Sequence, residues 1–238
     1  DKPYRSMYDK LNMGCRASFW GLAPTLVMKR YACDSPEEVL AFDPLEYDSY
    51  TLKDREAFFQ SYYPEKQQKL GDDALMMGWY YHTLFMWPVE IFGWENFMMA
   101  AMLDPVRFDA LLDRFFQLTL RDLRAMCSVE DLPLIACHDD LCSAAGPMFH
   151  PDWYRRYVYP RYRQVFDLIH THGKKALFVC DGDVMQILPE LSALEMDGLA
   201  VDGHSDLRMV REAMSGRIIT GGMRSSIVSG GTLEEIEQ

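Results

Sequence analysis

Three short stretches concentrate side chains able to move protons or hold a polar ligand: His138-Asp139-Asp140, Asp181-Gly182-Asp183 and Asp202-Gly203-His204. Each closes an apolar run. Two carboxylates buried side by side raise one another's pKa, so one of them can keep a proton near neutral pH and serve as acid and base. In a more open pocket the same groups bind a cationic substrate or orient a polar one. Asp139, Asp140 and Asp181 are therefore the candidate catalytic acids, and Gly182 lets backbone approach a ligand closely. Equivalent places after other apolar runs add Tyr81, His82 and Arg224. The candidate substrate-binding set is His138, Tyr81, His82, Asp183, Asp202, His204 and Arg224. Each has a plainer reading. Acidic pairs commonly cap the next helix, Asp183 suits that role, loop histidines such as His82 and His204 commonly face solvent, and tyrosines such as Tyr81 commonly pack in a core.

The elements that must position these residues alternate. Apolar runs at 134–138, 176–180, 198–201 and 217–220 read as strands ending in polar residues, with helices between them at 150–171, 184–194 and 207–214. Pro160 predicts a kink in the first of those helices. Upstream, residues 73–79 read as a buried strand. Residues 94–102 and 105–126 read as helices, with Phe108, Leu111, Leu112, Phe115, Leu118 and Leu123 at three- and four-residue spacing. Pro88 and Gly93 punctuate the loop before them. Ser35-Pro36-Glu37-Glu38 has the form of a helix start ending before Asp43-Pro44, and 52–70 reads as a surface helix broken at Pro64. Residues 17–22 suggest a strand, with a short helix after Pro24. Sustained βα alternation without hairpin turns means parallel strands with helical crossovers. No Gly-x-Gly-x-x-Gly or phosphate loop follows an early strand, which favours a (β/α)8 TIM barrel over an open doubly wound sheet. In such folds ligands gather at the carboxyl ends of the strands.

With 238 residues, 49% of them hydrophobic, the chain can bury a full core, and one domain over residues 1–238 is the natural reading. A net charge of -12 opposes non-specific phosphate binding, so nucleic acid is an unfavourable partner. Six cysteines show no close-set secreted framework, and no apolar stretch is long enough to span a membrane, which together point to a reduced, cytoplasmic setting. The chain opens at Asp1 without a methionine and stops at Gln238 in what reads as a helix's first turn, so some barrel units are expected to lie outside it. Arg155, Arg156, Arg161 and Arg163, interleaved with tyrosines, read as a solvated helix face beside a packed one.

Residues 139–184 carry a resemblance. Asp139-Asp140-Leu141, then Gly146-Pro147 with Pro151, Tyr154, Tyr157-Val158 and Pro160, then His170-x-His172-Gly173-Lys174, then Asp181-Gly182-Asp183-Val184 resemble the uroporphyrinogen decarboxylase superfamily. The likeness is closest to its corrinoid-dependent methyltransferase branch and extends more weakly over residues 72–238. It implies a (β/α)8 barrel and methyl transfer from a small-molecule donor to the cobalt of a corrinoid (cobalamin) protein. The alternatives are decarboxylation of a tetrapyrrole and a non-catalytic ligand-binding relative. A homodimer is compatible with the sequence, which does not specify the oligomeric state.

The departures from that family bear on mechanism. Zinc methyltransferases of the superfamily carry a His-x-Cys pair on the strand equivalent to 177–181. Here those positions are Val179 and Asp181, or Phe178 and Cys180 after a one-residue shift, and residues 222–224 supply no cysteine. The arginine-rich signature that serves the tetrapyrrole's acidic side chains is also absent from the residues given. A zinc site would have to be rebuilt from Cys180 or Asp181 with His138, Cys142 or His204. The expectation is therefore no bound zinc, no tightly held cofactor, and a donor activated by protonation from a pocket carboxylic acid.

Overall fold

The computed structural model describes residues 16–20, 23–27 and 31–234. In chain order the elements are β1 (Arg16–Trp20), β2 (Ala23–Val27), α1 (Pro36–Ala41), α2 (Leu52–Leu70), β3 (Gly78–Tyr81), α3 (Met86–Phe92), α4 (Trp94–Leu103) and α5 (Pro105–Cys127). There follow β4 (Leu134–His138), β5 (Cys142–Ser143), β6 (Gly146–Pro147), α6 (Pro151–Tyr157), α7 (Tyr159–Thr171) and β7 (Lys175–Cys180). The chain continues with α8 (Leu188–Ser192), β8 (Gly198–Val201), α9 (Leu207–Ala213), β9 (Ile218–Gly221) and α10 (Ser225–Gly230).

The chain divides into two compact units, one of residues 1–51 and 86–119, the other of 52–85 and 120–238. In the first unit, Phe42 packs edge-on to Phe92 and parallel to Phe115, with ring centroids 5.0 and 6.2 Å away. The Arg114 guanidinium donates to the Phe42 carbonyl at 2.7 Å, closing the end of α1. Ser35 caps that helix as its sequence signature requires, accepting from the Glu38 amide. The residues after Pro24 form β2, antiparallel to β1, rather than a helix. Thr25 and Val27 are β-branched and favour the extended chain. Residues 21–22 and the chain end at 235–238, where further strand and helix were expected, lie outside the described residues.

The second unit contains the five-stranded sheet, ordered β3-β4-β7-β8-β9 with every neighbouring pair parallel. Strictly sequential order is the wall of a barrel; a doubly wound sheet reverses its order partway. This is the expected α/β barrel class, with β3 and β9 unpaired to each other among the described residues. The alternating strand geometry divides its side chains. Ala136, Leu177 and Val179 form an apolar cluster on one face with Met77, Leu134 and Ala200 against it. On the other face Phe178 meets Tyr162 of α7 edge-on at 4.8 Å, so the covering helix packs there.

Five local readings are corrected. Helix α2 runs through Pro64 unbroken, because its buried stripe of Arg55, Phe59 and Tyr63 is anchored before the proline and Gln67 is anchored after it. Pro88 lies within the first turn of α3, where a backbone donor is not needed. Strand β3 starts at Gly78, not at 73, because Gln67 takes up the Ala74 carbonyl and the Met76 amide. The helix expected over 184–194 shrinks to α8. The Val184 and Met185 amides are held instead by Ser205 Oγ and Asp183 Oδ1. The kink expected at Pro160 is a break, with Val158 separating α6 from α7.

Candidate active site

Parallel pairing puts the residues after β4, β7 and β8 at one end of the sheet, so Asp139, Asp181 and Asp202 all follow carboxyl ends. The two-residue period then separates what is adjacent in sequence. His138 lies in register with Tyr81 and Val179 on the apolar-cluster face. Asp139 points the opposite way and is fully buried. Its Oδ2 accepts from the Leu84 amide at 3.2 Å, the Phe85 amide at 2.6 Å and the Tyr162 hydroxyl at 2.8 Å. That arrangement ties the turn after β3 to α7. Asp140 returns to the His138 side, with its Oδ1 3.0 Å from His138 Nε2 and 3.0 Å from the Asp181 amide it accepts from. Of the expected acid pair, Asp140 faces the site and Asp139 builds its wall.

His138, Asp140 and Asp181 converge, each offering a ligand-type atom within 4.8 Å of the others. No hydrogen bond or ion pair reaches the Asp181 carboxylate among the described residues. Burial and the neighbouring Asp140 carboxylate raise its pKa, with Asp202 adding to the rise against the opposing pull of His138. Burial alone would lower the His138 pKa. The hydrogen bond and charge of Asp140 outweigh that and leave it raised. Asp140 is correspondingly lowered: burial pushes it up, but the bond to His138 prevails. The two shifts both favour the ionised pair, and the Asp181 carboxyl beside it keeps its proton to higher pH than an ordinary aspartate.

The other expected residues sit as follows. His204 Nδ1 lies 2.7 Å from Asp202 Oδ2, and against the upward push of burial the bond from the His204 amide, followed by this ring contact, keeps the Asp202 pKa low. Tyr81 stands edge-on to the His138 ring at 4.6 Å. His82 follows with φ 57°, a left-handed conformation that costs a non-glycine residue about 1–2 kcal/mol. Asp183 caps the turn after β7 through the Met185 amide. Arg224 donates from Nε to the Gly203 carbonyl at 3.0 Å, on the β8 side. Trp79, two residues before Tyr81, also stands edge-on to His138, at 5.8 Å. The reading of 73–79 as a buried strand hid it; a strand starting at Gly78 makes Trp79 and Tyr81 face-mates.

Gly182 is required where it stands. Its φ is +89°, and a Cβ there would lie 2.6 Å from the Ser143 carbonyl oxygen. Close approach lets the loop after β7 reach β5, with the Asp183 amide donating to Ser143 O at 2.8 Å.

A family model for uroporphyrinogen decarboxylase (URO-D) matches residues 86–238, more than half of the chain. The chain belongs to the URO-D family. No curated protein matches it by sequence. Among solved structures, a methyltransferase from Methanosarcina mazei is similar, with a TM-score of 0.61 at 15% identity over 91% of this chain and 61% of that one. At this identity the likeness shows the fold, and the chain spans less than two thirds of that protein's length. The URO-D match includes every element from α3 onward, and so includes His138, Asp140, Asp181 and the Asp202–His204 pair.

Among the described residues, His138, Asp140 and Asp181 have metal-ligating atoms close enough to share an ion. Asp140 Oδ1 is already engaged by His138 Nε2 and by the Asp181 amide. Cys142 and Cys180, the soft ligands considered from sequence, are buried, and the contact with Cys142 together with burial pushes the Cys180 thiol pKa well up.

Proposed function

We propose that this URO-D family chain is a methyltransferase that takes a methyl group from a small donor and passes it to the cobalt of a corrinoid protein. The observation that carries this reading is the Asp181 carboxylate. It stands at the strand ends without a hydrogen-bonding partner among the described residues, with its pKa raised, beside the His138–Asp140 pair. A carboxylic acid so placed can give its proton to a leaving oxygen or nitrogen as the methyl departs, which is the help a poor leaving group needs when no metal activates it. Asp140 holds His138 and the Asp181 backbone, so the acid is oriented by a rigid strand end rather than by a loose loop. Asp139 positions the turn after β3 from inside the wall. Asp202 and His204 form the next pair along the rim, where they orient the donor.

The carboxylates of Asp140, Asp181 and Asp202 follow neighbouring strands and would repel the acidic side chains of a tetrapyrrole, which places decarboxylation second. The deciding experiment mixes the purified chain with a reduced corrinoid protein and a panel of methyl donors, and follows the change of the cobalt spectrum to the methylated form. Methylation that Asp181→Asn abolishes supports the reading. Carbon dioxide release from a tetrapyrrole without any corrinoid methylation refutes it.

A further inference from the structure

The rim carboxylates are unevenly partnered. Asp140 faces His138 at 3.0 Å and Asp202 faces His204 at 2.7 Å, whereas Asp181 between them has no ionic partner among the described residues. Across β4 from this surplus carboxylate, β3 carries aromatic side chains. Trp79 and Tyr81 project from the same face of β3 and remain 43% and 39% exposed, a large apolar area to leave at the mouth of a site. His138, between the rings and the acids, has a side chain only 10% exposed and a buried Nδ1 with no hydrogen-bond partner. A small polar ligand needing directional donors finds few of them. A developing oxyanion would meet carboxylates, since Arg224 is drawn off to Gly203.

One ligand class matches an unpaired carboxylate with part-exposed aromatic rings across the neighbouring strand: a cation wearing an apolar skin. Ring quadrupoles attract positive charge, methyl groups lie well on aromatic faces, and neither contact requires a hydrogen bond. We propose that the methyl donor is a methylated ammonium compound, held with its positive nitrogen against Asp181 and its methyl groups on Trp79 and Tyr81. This rests on the methyl transfer reading above. In the transfer step the carbon–nitrogen bond breaks and its electron pair stays on nitrogen, which leaves as a neutral amine. The electron pair of the reduced corrinoid's cobalt forms the new bond to the methyl carbon. A quaternary donor brings its own charge. A tertiary amine acquires it from the Asp181 proton, which solvent then replaces.

Titration of the whole chain with tetramethylammonium chloride, followed by calorimetry and tryptophan fluorescence against sodium chloride of equal ionic strength, tests the proposal. Saturable binding is expected, weakened about ten-fold by Asp181→Asn and by Trp79→Ala, with circular dichroism showing both variants folded. Anisole, a methyl donor without charge, should bind less tightly. Absence of saturable binding by the folded wild-type chain, equal binding by Asp181→Asn, or tighter binding of anisole each overturns the proposal. Trimethylamine and tetramethylammonium, offered separately with reduced corrinoid protein, distinguish the two sources of the charge. Corrinoid methylation from a methyl ether but from neither amine sinks this inference and leaves methyl transfer standing. Cation binding as expected, with no corrinoid methylated by any donor, sinks methyl transfer and the donor role while the cation site stands.

Discussion

Replacing Asp139 with alanine removes the acceptor of three buried hydrogen bonds, from the Leu84 amide, the Phe85 amide and the Tyr162 hydroxyl. Bonds to a charged acceptor contribute about 1.5–3 kcal/mol each, but three on one oxygen do not add fully, so the expected loss is about 3–5 kcal/mol. Against a total stability of about 5–15 kcal/mol for a domain, that is a large fraction. Asp139→Asn is a milder probe. The amide oxygen can occupy the Oδ2 position and keep all three donors, at about half the strength of charge-assisted bonds, for a loss of about 1–2 kcal/mol. Tyr162→Phe removes one donor and leaves the carboxylate its two amides, so it falls near the same value. Urea unfolding followed by circular dichroism gives the midpoint and slope for each variant. Activity is measured well below every melting temperature, where the folded fraction is unchanged. The expected order of midpoints is wild type, then Asn and Phe together, then Ala, with residual activity in Asn. A wild-type midpoint for Asp139→Ala together with abolished turnover would falsify the wall role and return Asp139 to the chemistry.

Asp181→Asn should abolish transfer from a donor that needs its proton yet raise the melting temperature at neutral pH. The folded pKa of Asp181 is raised above the ordinary 3.8, so its contribution to stability is present below that value and lost as pH rises through the folded pKa. A lowered melting temperature would contradict that sign. The wild-type rate should fall as pH climbs past the Asp181 pKa, a limb absent for a quaternary donor. Asp140→Asn should lower the His138 pKa toward or below the ordinary 6.5, as read by NMR titration of the ring protons. The pair stabilises the fold above the depressed Asp140 pKa and loses that contribution as pH rises through the raised His138 pKa; an unmoved histidine titration refutes the pairing. Gly182→Ala should cost about 1–3 kcal/mol, because the residue must keep a positive φ with its Cβ against the Ser143 carbonyl. A melting temperature matching wild type would show that the loop has another conformation. Metal analysis after dialysis without chelator should find no stoichiometric zinc, and about one zinc per chain, abolished by His138→Ala, would replace the proton by a metal at this site.

Much of the barrel wall was legible because its signals are local. Apolar runs ending in acids located β4, β7 and β8 to within a residue, and the three- and four-residue spacing of Phe108 to Leu123 located α5. Parallel order followed from alternation, and from order followed the convergence of Asp139, Asp181 and Asp202 on one end. Where sequence reading failed, a distant side chain had replaced a local bond. Gln67 satisfies the backbone at 74–76 that was read as strand, and Ser205 satisfies Val184, which was read as helix. Such substitutions are invisible in a window of neighbouring residues, because either partner satisfies a backbone group equally well. The candidate site was divided in the same way. Residue types and strand ends named His138, Asp140 and Asp181 in advance. Only the packed sheet decided that Asp139 turns to Tyr162 while Asp140 turns to His138, and that Trp79 joins Tyr81 beside them, because the face a side chain takes depends on where its strand begins and what covers it.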